Sequence, residues 1–142
     1  MIETFVTKNE TDTLKVASAF AMNLKPGSIV ALTGELGVGK TVFARGVARA
    51  IGVKENVTSP SFTLINEYHG DFVLYHMDFY RLNSVKEILD IGVEDYFYSN
   101  SVCLVEWAEK MSDMFPENAI WVIIRYKENS HREITIKKPE KR

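Results

Sequence analysis

The strongest constraint on this chain is an eight-residue stretch, Gly34-Glu35-Leu36-Gly37-Val38-Gly39-Lys40-Thr41: a glycine, four residues, then Gly-Lys-Thr. It lies between an apolar run, Ile29 to Leu32, and a helix-compatible run, Val42 to Ile51. Strand, glycine-rich turn and helix in that order is the setting that a phosphate-binding P-loop requires. The glycines let backbone N–H groups curl around phosphate oxygens, and the start of the following helix adds unpaired donors and the positive end of its dipole. Lys40 is expected to reach the β- and γ-phosphates, and Thr41 to place its hydroxyl on a magnesium ion. The bland alternative is a glycine-rich turn that matches by accident, which the flanking strand and helix disfavour.

The chain of 142 residues is expected to form a single domain, 1–142. It is long enough for a core but short for an enzyme that must grip two substrates. Hydrophobic residues at 46% and charged residues at 25% describe an ordinary soluble globule. No apolar run approaches a membrane span, and the N-terminus has no basic segment ahead of an apolar one, so a cytoplasmic location without membrane contact is expected. A net charge of -2 gives no general case for nucleic-acid binding, and the basic tail Lys137 to Arg142 reads as a solvated end. Cys103, the single cysteine, falls inside an apolar run and is expected in the core.

Ile2 to Val6 suggests an edge strand. Asn9 or Thr11 can cap a helix whose apolar positions are Leu14, Ala17, Phe20, Ala21 and Leu24, stopped by Lys25-Pro26-Gly27. The continuous run Ile29 to Leu32 has the character of a strand buried on both faces. Gly46, inside the next helix, is expected to permit close approach of that helix to the sheet, and Gly52 to end it. Phe62 to Tyr68 and Phe72 to Phe79 suggest two strands joined in a hairpin by His69-Gly70-Asp71. Asn83 to Tyr98 suggests a helix with a solvated acidic face, Glu87, Asp90, Glu94 and Asp95. Val102 to Val105 is another buried strand. Trp107, Met111, Met114 and Phe115 fit a short helix closed by Pro116. Ala119 to Tyr126 and Arg132 to Ile136 form a second hairpin. These elements predict an α/β, three-layer, P-loop NTPase-like fold: a mixed central sheet carrying antiparallel hairpins, flanked by helices.

Hydrolysis or transfer also needs carboxylates that hold magnesium and orient a nucleophile. Glu106 follows four apolar residues, as in a Walker B strand. A parallel strand beside the P-loop strand would bring it to Thr41 and the metal; otherwise it is a strand-end surface acid. Asp78, within His76-Met77-Asp78-Phe79-Tyr80-Arg81, shares a strand face with His76, Leu74 and Phe72, where an acid is out of keeping with core packing. His76 itself reads as a core-edge histidine bonded to backbone. Arg81 is either a phosphate contact or a surface arginine. Thr58, Ser59 and Ser61 form either a switch that senses the γ-phosphate or a solvated turn.

With these residues assembled, the chain resembles the TsaE family of P-loop ATPases, which serve threonylcarbamoyladenosine formation in tRNA. The resemblance rests on Gly34 to Thr41, on Val57-Thr58-Ser59-Pro60-Ser61-Phe62 through Glu67-Tyr68, on His76 to Leu82, and on Val105-Glu106-Trp107. Ser61 stands where the family more often has threonine, which keeps the hydroxyl. The resemblance implies ATP or ADP with Mg2+ as cofactors and an accessory role on a TsaD–TsaB transferase pair, with indirect or transient tRNA contact at most. It implies that Lys40 and Thr41, with Gly34 to Val42 around them, hold phosphates and magnesium, and that Glu106 is the Walker B acid. It further implies that Asp78 serves hydrolysis, that Trp107 sits beside the nucleotide, and that adenine lies near Thr11 and Arg132.

The expected activity is therefore slow ATP hydrolysis that quickens with partners. A small-molecule kinase is the alternative, but no arginine-bearing lid insertion is visible. A GTP-dependent binding switch is another, but no Asn-Lys-x-Asp run occurs.

Overall fold

Ile29, Val30, Ala31 and Leu32 are all essentially inaccessible, so the strand they form needs packing on both faces. The computed structural model, which describes residues 1–60 and 62–139, supplies it with a three-layer arrangement. The elements run β1 (Ile2–Thr7), α1 (Glu10–Ala21), β2 (Ile29–Gly34), α2 (Lys40–Ala50), β3 (Ile65–His69), β4 (Val73–Asp78), α3 (Val85–Asp90), α4 (Val93–Phe97), β5 (Val102–Glu106), a 3-10 segment (Ala108–Met114), β6 (Ile120–Tyr126), a 3-10 turn (Glu128–Ser130) and β7 (Arg132–Lys137).

One seven-stranded sheet has the order β1-β7-β6-β2-β5-β4-β3. Its centre is parallel, with β2 between β5 and β6 and β4 beyond β5. The hairpin strands β3 and β7 run antiparallel, and β1 closes one edge against β7. Alternation sends Val30 and Leu32 to one core with Phe20, Phe43 and Val47 of α1 and α2. Ile29 and Ala31 go to a second core with Ile88, Val93, Phe97 and Met111. The mixed three-layer sheet is thus the one expected from the apolar runs and turns. No helix among the described residues is long and apolar enough to cross a membrane.

Asn9 is the residue that caps α1: its Oδ1 accepts from the Asp12 N–H at 2.8 Å, while Asp12 Oδ2 accepts from the Lys8 N–H at 3.0 Å. Cys103 is buried, and burial raises its thiol pKa to about 11. The acidic residues of α3 and α4 are exposed as expected.

Four details depart from the local patterns. The strand expected from Phe62 starts only at Ile65, because Leu64 adopts a positive φ of 68° and Phe62 is 83% exposed. The helix expected across Asn83 to Tyr98 is two helices broken at Gly92, whose φ is 81°. Trp107 is not helical but left-handed, with φ 59°, and the segment after it is 3-10. Gly46 approaches a helix and not the sheet: a Cβ there would lie 2.6 Å from Ala17 Cβ and 3.1 Å from Leu14 O on α1.

Candidate functional site

The P-loop leaves β2 at Gly34 and enters α2 at Lys40. Gly34, Gly37 and Gly39 have φ of 151°, 78° and 115°, values that L side chains resist. At Gly34 space is limiting too, since a Cβ would meet Ile124 O at 2.6 Å. Gly39 is the N-cap of α2 and brings no side-chain acceptor, so the first N–H groups of the helix remain for an anion.

A cleft of about 350 Å³ opens over this loop, lined by Leu36, Gly37, Gly39, Lys40, Thr41, Val42, Ser59, Asp78, Tyr80, Arg81, Glu106 and Trp107. Among the described residues, the buried Lys, His, Asp and Glu side chains are Lys40, His76, Asp78 and Glu106. All gather at this cleft or directly behind it. A soluble domain seldom buries such groups except in pairs or where chemistry uses them.

Sheet register brings the acids together. β4 and β5 are parallel neighbours, and Asp78 is paired with Glu106. β5 in turn lies beside the P-loop strand, the adjacency that a Walker B acid needs. Asp78 Oδ1 accepts from the Tyr80 N–H at 2.8 Å, and Oδ2 from Ser59 Oγ at 3.4 Å. Burial pushes the Asp78 pKa upward; the Tyr80 N–H opposes the shift, and the nearby Glu106 carboxylate adds to it. Burial also lowers the Lys40 pKa against the pull of Glu106, Glu109 and Asp78. Lys40 Nζ donates to Gly34 O and lies 3.5 Å above the Trp107 ring centroid, so the ammonium is shelved on an indole beside the loop. Tyr80 packs against this shelf, its ring 5.0 Å from that of Trp107.

His76 departs from expectation. It is fully buried, and its partner is a carboxylate and not backbone: Nε2 lies 2.5 Å from Glu106 Oε2. Arg81 does line the cleft, with its guanidinium 4.2 Å over the Phe62 ring. Of the three loop hydroxyls, Ser59 reaches the cleft and bonds Asp78. Thr58 is exposed, and its backbone is tied to the Tyr68 hydroxyl and the Asn66 amide. Ser61 lies outside the described residues.

Behind the loop is a second cleft of about 200 Å³, lined by Asn9, Glu10, Thr13, Gly37, Val38, Gly39, Val42, Ser130 and Arg132. Arg132 Nε donates to Val38 O at 2.9 Å, and Tyr126 donates its hydroxyl to Leu36 O at 3.2 Å, so the C-terminal hairpin braces the P-loop. Thr11 is exposed on α1, and Glu10 and Thr13 on either side of it line this cleft. Tyr80, Tyr126 and Ser130 carried no local signal that separates them from surface residues; only packing brings them to the loop.

The donor set suits a hard cation shared with a nucleotide. Thr41 offers a hydroxyl, and Asp78 and Glu106 offer carboxylates. No cluster of three or more His, Cys, Asp or Glu able to hold an ion occurs among the described residues. Magnesium matches such a set, because it keeps several waters and takes one or two carboxylates plus phosphate oxygens.

The sheet order and the loop together define a P-loop NTPase-like fold. The chain belongs to the TsaE family: the family model described as threonylcarbamoyl adenosine biosynthesis protein TsaE matches residues 7–134. It is 40% identical over 131 residues to the tRNA threonylcarbamoyladenosine biosynthesis protein TsaE of Treponema pallidum, covering 92% of this chain and 97% of that one. Against the TsaE of Bacillus subtilis it is 41% identical over 130 residues, covering 91% and 81%. The crystal structure of Bacillus subtilis YdiB superposes with a TM-score of 0.85 at 35% identity, covering 99% of this chain and 87% of that one.

Proposed function

We propose that the protein is a magnesium-dependent ATPase, a single domain that serves tRNA threonylcarbamoyladenosine biosynthesis by acting on a TsaD–TsaB transferase pair. The observation that carries the ATPase reading is the register match of Asp78 and Glu106 beside the P-loop, with Lys40 buried in the same cleft. Membership of the TsaE family supports the pathway, and the name borne by the Treponema and Bacillus relatives supports its tRNA end.

In this reading the N–H groups of Gly37 to Thr41 hold the phosphates, and Lys40 leaves Gly34 O to neutralise the β- and γ-oxygens. Thr41 and Glu106 would hold Mg2+, which supplies charge neutralisation on the transferring phosphoryl group. Asp78 orients the attacking water, with Ser59 and Tyr80 fixing its carboxylate. Trp107 flanks the phosphate site, and the second cleft, between the start of α1 and Arg132, takes the adenosine. Of the two described loop hydroxyls, Thr58 and Ser59, Ser59 is the one that reaches the cleft and would sense the γ-phosphate. Contact with tRNA is indirect or transient, and the protein works in the cytoplasm.

The test is nucleotide binding and turnover by the purified protein, with and without TsaD and TsaB. Preference for ATP and ADP over guanine nucleotides, slow magnesium-dependent hydrolysis alone and faster turnover with the pair are expected. Rapid phosphoryl transfer to a small metabolite would overturn the reading in favour of a kinase.

A further inference from the structure

Nucleotide chemistry accounts for Lys40, Asp78 and Glu106, but not for His76, which is buried with them. It occupies a position on β4 that its apolar neighbours mark as core: the buried Leu74 shares its face, and its register partner on β5 is the buried Leu104. An apolar side chain would serve packing there without the cost of desolvating an imidazole.

Its bonding is one-sided. Nε2 and Glu106 Oε2 are hydrogen-bonded at 2.5 Å. Nδ1 is buried and has no hydrogen-bond partner among the described residues. The large majority of buried side-chain polar atoms have a partner. Here one nitrogen is left unsatisfied to preserve a single bond to one carboxylate oxygen. The other oxygen, Oε1, has no hydrogen-bond partner among the described residues, and Glu106 lines the cleft with Thr41 and Lys40.

We propose that His76 is a positioning residue for the metal-side carboxylate: by holding Oε2 of Glu106 from behind, it stops the carboxylate rotating and leaves Oε1 available to the cleft. This rests on the ATPase reading, and it extends that reading to a residue that touches neither nucleotide nor metal. The imidazole plays the part that outer-shell partners play for metal ligands, where their loss weakens metal binding about 10–100-fold.

The test measures Mn2+ affinity of the protein–ADP complex by electron paramagnetic resonance, with metal-free ADP affinity measured alongside by calorimetry. His76→Leu is expected to leave metal-free ADP affinity within about threefold and to weaken Mn2+ binding about tenfold or more. His76→Gln, whose amide nitrogen reaches roughly the Nε2 position, is expected to restore most of it. His76→Asn, whose amide nitrogen stops near Nδ1, is expected to remain defective; this pair decides the matter even if the leucine variant does not fold. In a Glu106→Gln background, His76→Leu should add little further loss. Unchanged Mn2+ affinity in His76→Leu, a glutamine variant as poor as asparagine, or additive losses with Glu106→Gln would each overturn the proposal. If the unmodified protein binds Mn2+ with ADP and shows this pattern yet hydrolyses no ATP, only the ATPase reading falls. Failure of the unmodified ADP complex to bind Mn2+ defeats both.

Discussion

Asp78 and Glu106 are register partners on adjacent parallel strands, so two buried carboxylates stand one inter-strand spacing apart at the edge of the cleft over the P-loop. They are held differently. Asp78 is gripped by the Tyr80 N–H and the Ser59 hydroxyl, and Glu106 by an imidazole. Two acids with separate supports can take separate roles, one toward water and one toward the metal.

Asp78→Asn tests this division through both stability and turnover. Burial raises the Asp78 pKa in the fold above its ordinary 3.8, so ionised Asp78 is a destabilising group. The penalty is absent where the side chain is protonated in both folded and unfolded states, below about 3.8, and is fully present above the raised folded value. The substituted amide keeps an acceptor for the Tyr80 N–H, so the variant should melt higher than the natural protein near neutral pH, the gain disappearing as pH falls through the acid range. Thermal melts from about pH 3 to about pH 8 in nucleotide-free buffer measure it; a lower neutral melting temperature would refute the expectation. Turnover should drop about 100-fold or more, with nucleotide affinity largely spared. A collapse of affinity instead would reassign Asp78 to the metal.

Lys40→Ala should weaken ATP binding by about 10–100-fold, the range expected for losing a charge-assisted bond to phosphate. Isothermal titration with ATP and with adenosine separates the causes. Adenosine affinity should be little changed, because the second cleft does not include Lys40.

Trp107 should report phosphate arrival. The Lys40 ammonium sits 3.5 Å above its ring, and a phosphate that draws the ammonium away changes the field at the indole. Trp121, packed edge-on to Phe115 against the same core as Trp107, would add background. In a Trp121→Phe variant, emission should therefore shift on adding ADP and saturate with binding. Flat emission alongside proven binding would mean that Lys40 keeps its place on the indole.

Gly46→Ala should destabilise although alanine is the better helix former by about 1 kcal/mol. Its Cβ would lie 2.6 Å from Ala17 Cβ, and such overpacking costs about 1–3 kcal/mol. Urea denaturation of Gly46→Ala, Ala17→Gly and the double variant checks the contact. The losses should be strongly non-additive, with Ala17→Gly making room for the new methyl; additive losses would show that the two helices do not meet there.

The P-loop, the two hairpins and the buried strands were legible in the sequence because each is specified within a few residues. Glycines at positive φ, a cap such as Asn9 and an unbroken apolar run carry their own local energetics. Val102-Cys103-Leu104-Val105-Glu106 announced a strand ending in an acid for the same reason. The family resemblance was legible too, because several such segments recur in order.

Less legible was everything set by what lies across a gap in the chain. The partner of Gly46 is Ala17, well upstream on another helix, and the sequence around Gly46 shows only that room is needed. Strand order is likewise a global choice: hydrogen bonds to β5 and β6 on either side of β2 are equivalent locally, and only the packing of two helical layers selects one order.

By itself, then, the sequence determined that a P-loop pattern stands at Gly34 to Thr41 and that Asp78 and Glu106 are the acids to consider. Backbone conformation and side-chain alternation act over a few residues, and both are written locally. Tertiary structure alone decided that these acids share a register, that Lys40 rests on Trp107, and that His76 reaches Glu106 with its other nitrogen unpartnered among the described residues. Those contacts join residues far apart in the chain through sheet pairing and burial, and no spacing within the chain encodes them.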